Sequence, residues 1–383
     1  MSTPPPTVVI RTSPQISAIR LVLAMVAILI AMFLGLLVLL LIGIETGPVA
    51  LLFGLVTAMI PVPIYIVLVL WIDRYEAEPL WMLGTAFFWG AFIATFLAFL
   101  LNTASGTIIA LLTNAQAGEA FASVISAPIV EETGKALILF IFFFWRKDEF
   151  DGVVDGIVYA SLAALGFAMS ENILYYGKAA ATGGGEALTA TFILRGFFAP
   201  FSHPLFTSLT GIGLGLARQS TNIAIKVITP IIGLLMAILM HSLWNASAVF
   251  GGGGVFLIIY ILVMVPAFFI MLIVISLALR REGQVVREFL VMDFERGFFT
   301  PEEYKQLCSI AGRMGSSFNA LTQSGVKGWR ARMRFNQLAS ELAFHRSRVS
   351  RGVHSANQDV LAQEAAYLQA LQDLINEFRR PQV

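Results

Sequence analysis

The chain has 383 residues, 57% of them hydrophobic and only 13% charged, with a mean hydropathy of +0.80. That balance excludes an ordinary soluble domain and places the chain in the membrane class. A net charge of +1 favours no charged partner, and the single cysteine, Cys308, excludes an internal disulfide and reads as an ordinary reduced thiol.

In chain order, residues 1–17, with Pro4, Pro5 and Pro6, read as a disordered lead. About eight apolar runs follow, near 18–43, 49–71, 80–104, 119–144, 153–176, 190–217, 224–248 and 255–279. Each is long enough to cross a hydrocarbon core of about 30 Å as a helix. The first lacks a small-residue cleavage site and is too long for a signal peptide, so it is expected to stay as an anchor. Residues 105–117 and 177–189 read as short outer loops, and Gly251–Gly254 as an outer turn. Arg11, Arg20, Arg74, Arg146, Lys147, Arg218, Lys226, Arg280 and Arg281 fall on one side and only Lys178 on the other. That bias places both termini in the cytoplasm. The expected fold is therefore all-α: a polytopic transmembrane helix bundle over 18–281 in the cell membrane, with a small helical cytoplasmic region over 282–383.

Four of the runs carry almost no ionisable residue between their ends. The other four carry Glu131, Glu132, Lys135, Asp155, Glu171, Arg195, His203 and His241. Each such side chain at membrane depth costs roughly 2.5 to 3.5 kcal/mol even on permissive insertion scales, so they are expected to face one another as a polar site. Counting about 1.5 Å of rise per residue from the outer ends puts Glu171 roughly 9 Å deep, His241 roughly 13 Å, Glu131 roughly 16 Å and His203 roughly 18 Å. They fall in one layer between the outer leaflet and the midplane.

Within Glu131-Glu132-Thr133-Gly134-Lys135, Glu131 and Lys135 share a helical face and are expected to pair, which leaves Glu132 in need of another partner. The motif reads either as a structural ion pair or as a glutamate that activates water or ligates a metal. In Ser170-Glu171-Asn172, Glu171 reads as a further ligand, as a partner of Arg195, or as an interfacial charge. Tyr175 and Tyr176 read as interface aromatics, and Asp155 as structural. His203 and His241, beside two or three carboxylates, supply the mixed nitrogen and oxygen set that catalytic zinc accepts. Asn245 shares a face with His241, so the pair suits a metal or an oxyanion. Pro204 is expected to bend the helix at His203.

The motifs Asp73-Arg74-Tyr75-Glu76-Ala77-Glu78-Pro79, Glu131-Glu132-Thr133-Gly134-Lys135, Glu171-Asn172-Ile173-Leu174-Tyr175, His203-Pro204-Leu205-Phe206-Thr207 and His241-Ser242-Leu243-Trp244-Asn245, in that order, resemble the PrsW family of intramembrane proteases. That family is related to the CAAX-processing endopeptidases and the bacteriocin-immunity type membrane proteins. The resemblance spans roughly residues 50–280. It implies a polytopic metalloprotease that cleaves membrane-anchored protein substrates such as anti-sigma factors. By matching motifs it implies Glu131, Glu132, His203, His241 and Asn245 as catalytic. Lys135, Glu171, Asn172 and Arg195 are expected to support them. Glu132, Glu171, His203 and His241 are the expected ligands of zinc or another divalent metal. Two other classes use the same cluster differently: a proton-coupled transporter, for which no repeated halves are visible, and a non-catalytic scaffold.

Outside the cluster, Asp73, Glu76 and Glu78 read as a solvated helix cap. Gly211, Gly213 and Gly215 read as close helix packing rather than a phosphate loop. In the tail, Thr300-Pro301-Glu302-Glu303 has the form of a capping box, and helices are expected near 329–349 and 357–379. Lys327, Arg330, Arg332, Arg334, Arg346, Arg348 and Arg351 form a basic segment suited to anionic lipid. Nucleic acid is not expected, because the tail is nearly balanced, with 13 Lys and Arg against 11 Asp and Glu.

Overall fold

A computed structural model describes residues 18–352 and 359–379; the proline-rich lead and His354 lie outside the described residues. Among the described residues the chain is helical, without strands. The helices are α1 (Ala18–Thr46), α2 (Pro48–Met59), α3 (Val62–Ile72), α4 (Leu80–Phe88), α5 (Thr95–Leu112), α6 (Ala115–Phe121), α7 (Ala127–Trp145), α8 (Val153–Phe192), α9 (Ser202–Gln219), α10 (Ile223–Phe250), α11 (Gly252–Ile259), α12 (Val265–Glu295), α13 (Pro301–Leu307), α14 (Ile310–Ser350) and α15 (Val360–Arg379). Four π-helical turns, at Trp89–Ala94, Ala122–Ser126, Ile193–Phe198 and Tyr260–Met264, link neighbours.

Among the described residues six stretches, Val22–Thr46, Pro48–Ile72, Leu80–Leu112, Val153–Gln219, Ile223–Phe250 and Gly252–Glu295, are long and apolar enough to cross a membrane. The protein is a multi-pass membrane helix bundle. The run expected at 119–144 is helical too, but Glu131, Glu132 and Lys135 interrupt its apolar character. The Val153–Gln219 stretch folds back on itself. A Cβ on Gly211 would meet the Gly156 carbonyl oxygen at 2.1 Å, and one on Gly215 would meet that of Gly152 at 2.5 Å, an antiparallel register in which two backbones nearly touch. The glycines of α9 are thus packing residues, as their apolar setting requires.

Several local expectations change. The supposed loops at 105–117 and 177–189 are largely helix; the first breaks only around Thr113 and Asn114, where Asn114 caps α6 by accepting from the Ala117 N–H at 2.9 Å. The second turns at Gly184, with φ 63°. Small and polar residues suit loops, but nothing in them forbids helix. Pro204 does not bend α9: it lies in the first turn, where the missing N–H would have had no intrahelical partner. Tyr176 is fully buried rather than interfacial.

The chain divides into two compact units. One comprises residues 18–72 and 78–275 and contains the polar cluster. The other holds residues 73–77 and the tail from Ser276 onward. In this second unit Tyr75 is buried beneath the Arg313 guanidinium, 4.7 Å from the ring centre, and Arg313 also donates to the Asn336 and Arg74 carbonyls and to Ser340 Oγ. Arg348 donates to Glu76 at 2.6 Å, and Arg346 bridges Asp293 and Glu364. The 73–78 acidic patch is therefore not a solvated cap. Glu76 is paired across 272 positions of sequence, and buried Glu78 accepts from Tyr159 Oη at 2.5 Å, partners that no local pattern shows. Thr300 and Glu303 form the expected capping box, and burial raises the pKa of Cys308, which makes it a poor nucleophile.

Candidate active site

Five elements carry the expected site residues, and a sixth leads into the first of them. The π-helical turn Ala122–Ser126 leads into α7, which carries Glu131, Glu132 and Lys135; α8 carries Glu171 and Asn172; the turn Ile193–Phe198 carries Arg195; α9 carries His203; α10 carries His241 and Asn245. A π turn shifts the face that the following residues present, and such turns gather at functional sites. Here two of them border the same cluster.

The observed pairing on α7 is the reverse of the expected one. Lys135 Nζ lies 2.5 Å from Glu132 Oε1, three residues away, and not on Glu131. The reason is tertiary: Glu132 points inward to donors on α9 and α10. Its Oε2 accepts from Thr207 Oγ1 at 2.8 Å, and its Oε1 also accepts from His241 Nδ1 at 2.9 Å. Lys135 Nζ reaches His203 Nδ1 at 3.4 Å and lies 4.6 Å from the centre of the Phe167 ring. An ammonium can only donate, so His203 Nδ1 accepts and Nε2 donates to Glu171 Oε2 at 2.9 Å. Arg195 completes that side, donating to Glu171 Oε2 at 2.8 Å and to Asn172 Oδ1 at 2.6 Å, and its guanidinium stacks 3.8 Å from the Tyr175 ring centre.

Glu131 is left over. Two cations, Lys135 and Arg195, serve three carboxylates, and they pair with Glu132 and Glu171 respectively. Glu131 is buried, its Oε1 is 3.5 Å from Asn102 Nδ2, and its Oε2 has no hydrogen-bond partner. Facing that oxygen at 3.8 Å is His241 Nε2, whose ring is oriented by the Nδ1–H bond to Glu132. A carboxylate oxygen and an imidazole nitrogen that both accept do not sit together without a positive or protic partner between them. Donor atoms of Glu131, His203 and His241 lie within 4.8 Å of one another. This set fits a divalent metal, and its two nitrogens and one oxygen are the chemistry that zinc accepts. His203 would join it by exchanging one of its two hydrogen bonds. Glu132 and Glu171, expected as ligands, are instead occupied by protein donors.

Glu131, Glu132, Lys135, Glu171, Asn172, Arg195, His203 and His241 share this network, whereas Asn245, expected beside His241 as a metal or oxyanion group, bonds a backbone carbonyl instead. Asn245 donates to the Ser123 carbonyl at 2.8 Å, so its amide N–H fastens α10 to the turn before α7. Four contributors are not among the expected residues: Thr207, Asn102, Ser126 and Ser105. Thr207, four residues after His203, shares its face, and that spacing was the available signal. Asn102 is the polar residue of α5 that reaches the cluster, backed by Ser126 Oγ donating to Asn102 Oδ1 at 2.9 Å and by Ser105 Oγ donating to Ser126 Oγ at 2.8 Å. A cavity of about 250 Å³ opens beside His203, with Asn172, Tyr175 and Arg195 at its polar end and Leu165, Trp244 and Phe256 along its apolar wall.

A buried cluster of carboxylates and histidines inside a membrane bundle, with one acceptor pair left open, suits a membrane-embedded hydrolase. The sequence matches the family described as PrsW family intramembrane metalloprotease over residues 78–271. It is 34% identical over 168 residues to Protease PrsW of Oceanobacillus iheyensis, covering 44% of this chain and 70% of that one. It is 36% identical over 148 residues to Protease PrsW of Geobacillus kaustophilus, covering 38% and 58%, and 31% identical over 177 residues to that of Bacillus subtilis, covering 45% and 72%. No solved structure matches it significantly. The chain belongs to the PrsW family and is an intramembrane protease, which disfavours the transporter and scaffold readings.

Proposed function

We propose that this cluster hydrolyses a peptide bond of membrane-anchored protein substrates, anti-sigma factors being the class that the resemblance implies, with Glu131 at the centre of the chemistry. The observation that carries this reading is the Glu131 carboxylate, buried without a cation and open toward His241 Nε2. A water admitted between them loses its proton to Glu131 as it attacks the scissile carbonyl, and Glu131 then returns a proton to the leaving nitrogen. Glu132 holds His241 in one tautomer and fixes its direction, while Lys135 and Glu171 hold His203 from both ring nitrogens. Arg195 pairs with Glu171 and holds it in place. The substrate chain lies in the cavity beside His203, whose apolar wall suits a residue drawn from a membrane segment. Excluding bulk water strengthens every one of these electrostatic contacts. With zinc or another divalent ion held by Glu131, His203 and His241, the charge on Glu131 is matched and bound water ionises more readily.

In this reading about eight crossings form the protease domain over 18–281, both termini are cytoplasmic, and 282–383 is a cytoplasmic tail. Reporter fusions at 147 and 282 then read cytoplasmic and one at 184 external. The central test is Glu131→Gln in cells that express a single-span reporter substrate. The isosteric change should lower cleavage by about 10²- to 10⁴-fold while insertion and heat stability persist. A folded E131Q protein that cleaves normally would end the assignment. Chelation and metal analysis of purified protein decide separately whether the positive partner of Glu131 is a proton or an ion.

A further inference from the structure

The tail carries a surface that the protease chemistry does not use. Between Glu303 and Glu341 there is no acidic residue, while Lys305, Arg313, Lys327, Arg330, Arg332 and Arg334 all lie there. Arg313 is buried in its network and Arg332 donates to Gln306. The other three on the second leg of α14, Lys327, Arg330 and Arg334, are exposed and make no ion pair among the described residues. Their spacing of three and four residues puts them on one stripe of the helix.

Beside them runs an apolar stripe with the same spacing, Val326, Trp329 and Met333, all exposed, with Val326 at 55%. Gly325, with φ 64°, breaks α14 just before it, and on the first leg Met314, Phe318 and Leu321 form a second exposed apolar stripe, with Phe318 at 63%. At 100° per residue the apolar and basic stripes of the second leg are centred about 100° apart, which is the arrangement of a helix lying in a membrane interface.

We infer that the broken helix from Met314 to Arg334 docks on an anionic lipid surface, with its apolar stripes entering the headgroup boundary and Lys327, Arg330 and Arg334 meeting lipid phosphates. Charge complementarity selects this occupant. A second copy packed through this face would bring three cations against three cations, and a nucleic acid gives no reason to expose Met314, Leu321, Val326 and Met333. The tail is tethered to the bilayer through α12, so the local concentration of lipid is high and a modest intrinsic affinity suffices.

The test uses full-length protein in lipid nanodiscs, with Phe318→Cys carrying an environment-sensitive dye; buried Cys308 stays in place, and unmutated protein controls for its labelling. Discs of phosphatidylcholine containing phosphatidylglycerol should give a blue shift and quenching by nitroxide-labelled lipid, and discs of phosphatidylcholine alone should give neither. High salt and the K327E/R330E/R334E variant should each abolish the signal, and K327Q/R330Q/R334Q should weaken it. Unchanged heat stability of these surface variants shows that the tail remains folded. A signal indifferent to phosphatidylglycerol, one retained after charge reversal, one that rises with the number of protein copies per disc, or one induced by duplex DNA or RNA in neutral discs would each overturn the assignment.

Discussion

Helix α8 holds two polar clusters, and they are finished differently. Near its start, Asp155 accepts the backbone N–H groups of Asp151 and Gly152 at 2.8 and 2.7 Å, and Tyr159 donates to Glu78 while its ring packs against Phe142 and Phe150. Near its middle, Glu171 meets Arg195 and His203, but the network it joins ends at Glu131 Oε2, which has no hydrogen-bond partner. A closed cluster fixes a helix end and a helix packing. An open one keeps an acceptor for something that is not protein. On the proposed function, the difference separates polar residues that hold the bundle from those that do its chemistry, although both kinds are buried.

The largest expected effect comes from breaking the closed part of the open cluster. Lys135→Met leaves Glu132 buried with its cation gone, which should cost about 3 to 5 kcal/mol and sharply reduce the folded protein recovered from membranes. Glu132→Gln added to K135M removes the stranded charge and should restore part of that loss, as read by heat-stability curves of the detergent-solubilised variants. If K135M alone is as stable as the parent, Lys135 does not secure the cluster, and the division drawn between Glu131 and Glu132 fails.

The division between Glu131 and Glu132 also marks the limit of what the sequence disclosed. Ionisable residues in apolar runs point to the cluster because the bilayer makes each one costly, and seven of the eight meet there, Asp155 being held separately at the start of α8. Which glutamate Lys135 would take was not legible, because spacings of three and four residues are both open on a helix and Thr207 and His241 settle the choice from other helices. Asn102 was hidden for the same reason: one amide in an apolar run costs little, and only its neighbours give it meaning. The acidic turn at 73–78 looked solvated because its partners, Tyr159 and Arg348, are distant in sequence. The helix period of the apolar runs and the Thr300 capping box are local properties, and these read directly.

A middle-sized effect tests the closed cluster. Tyr159→Phe keeps the ring between Phe142 and Phe150 but strips the donor from Glu78, a loss of about 1 to 3 kcal/mol for a buried acceptor left short. Cleavage per folded molecule should stay at the parent level. Were Y159F to fold normally yet lose cleavage, this end of α8 would belong to the working site after all.

The smallest effect concerns Asn102, which holds the oxygen of Glu131 opposite the open one. Its contact is long, at 3.5 Å, and its own carbonyl is pinned by Ser126, so it acts as a positioning residue rather than one that touches substrate. Asn102→Ala frees Glu131 to rotate and should slow cleavage by about tenfold or less, the equivalent of one hydrogen bond of about 0.5 to 1.5 kcal/mol. A structural role alone would lower heat stability and leave the rate per folded molecule unchanged. A positioning role predicts the reverse pattern, with kcat falling and KM steady because the substrate cavity beside His203 is untouched. Asn102→Asp sharpens the distinction, since it sets a second carboxylate against Glu131 and should shift the pH profile of cleavage, which Ala cannot do by charge. Equal pH profiles for the parent and N102D would place Asn102 outside the reach of the Glu131 carboxylate.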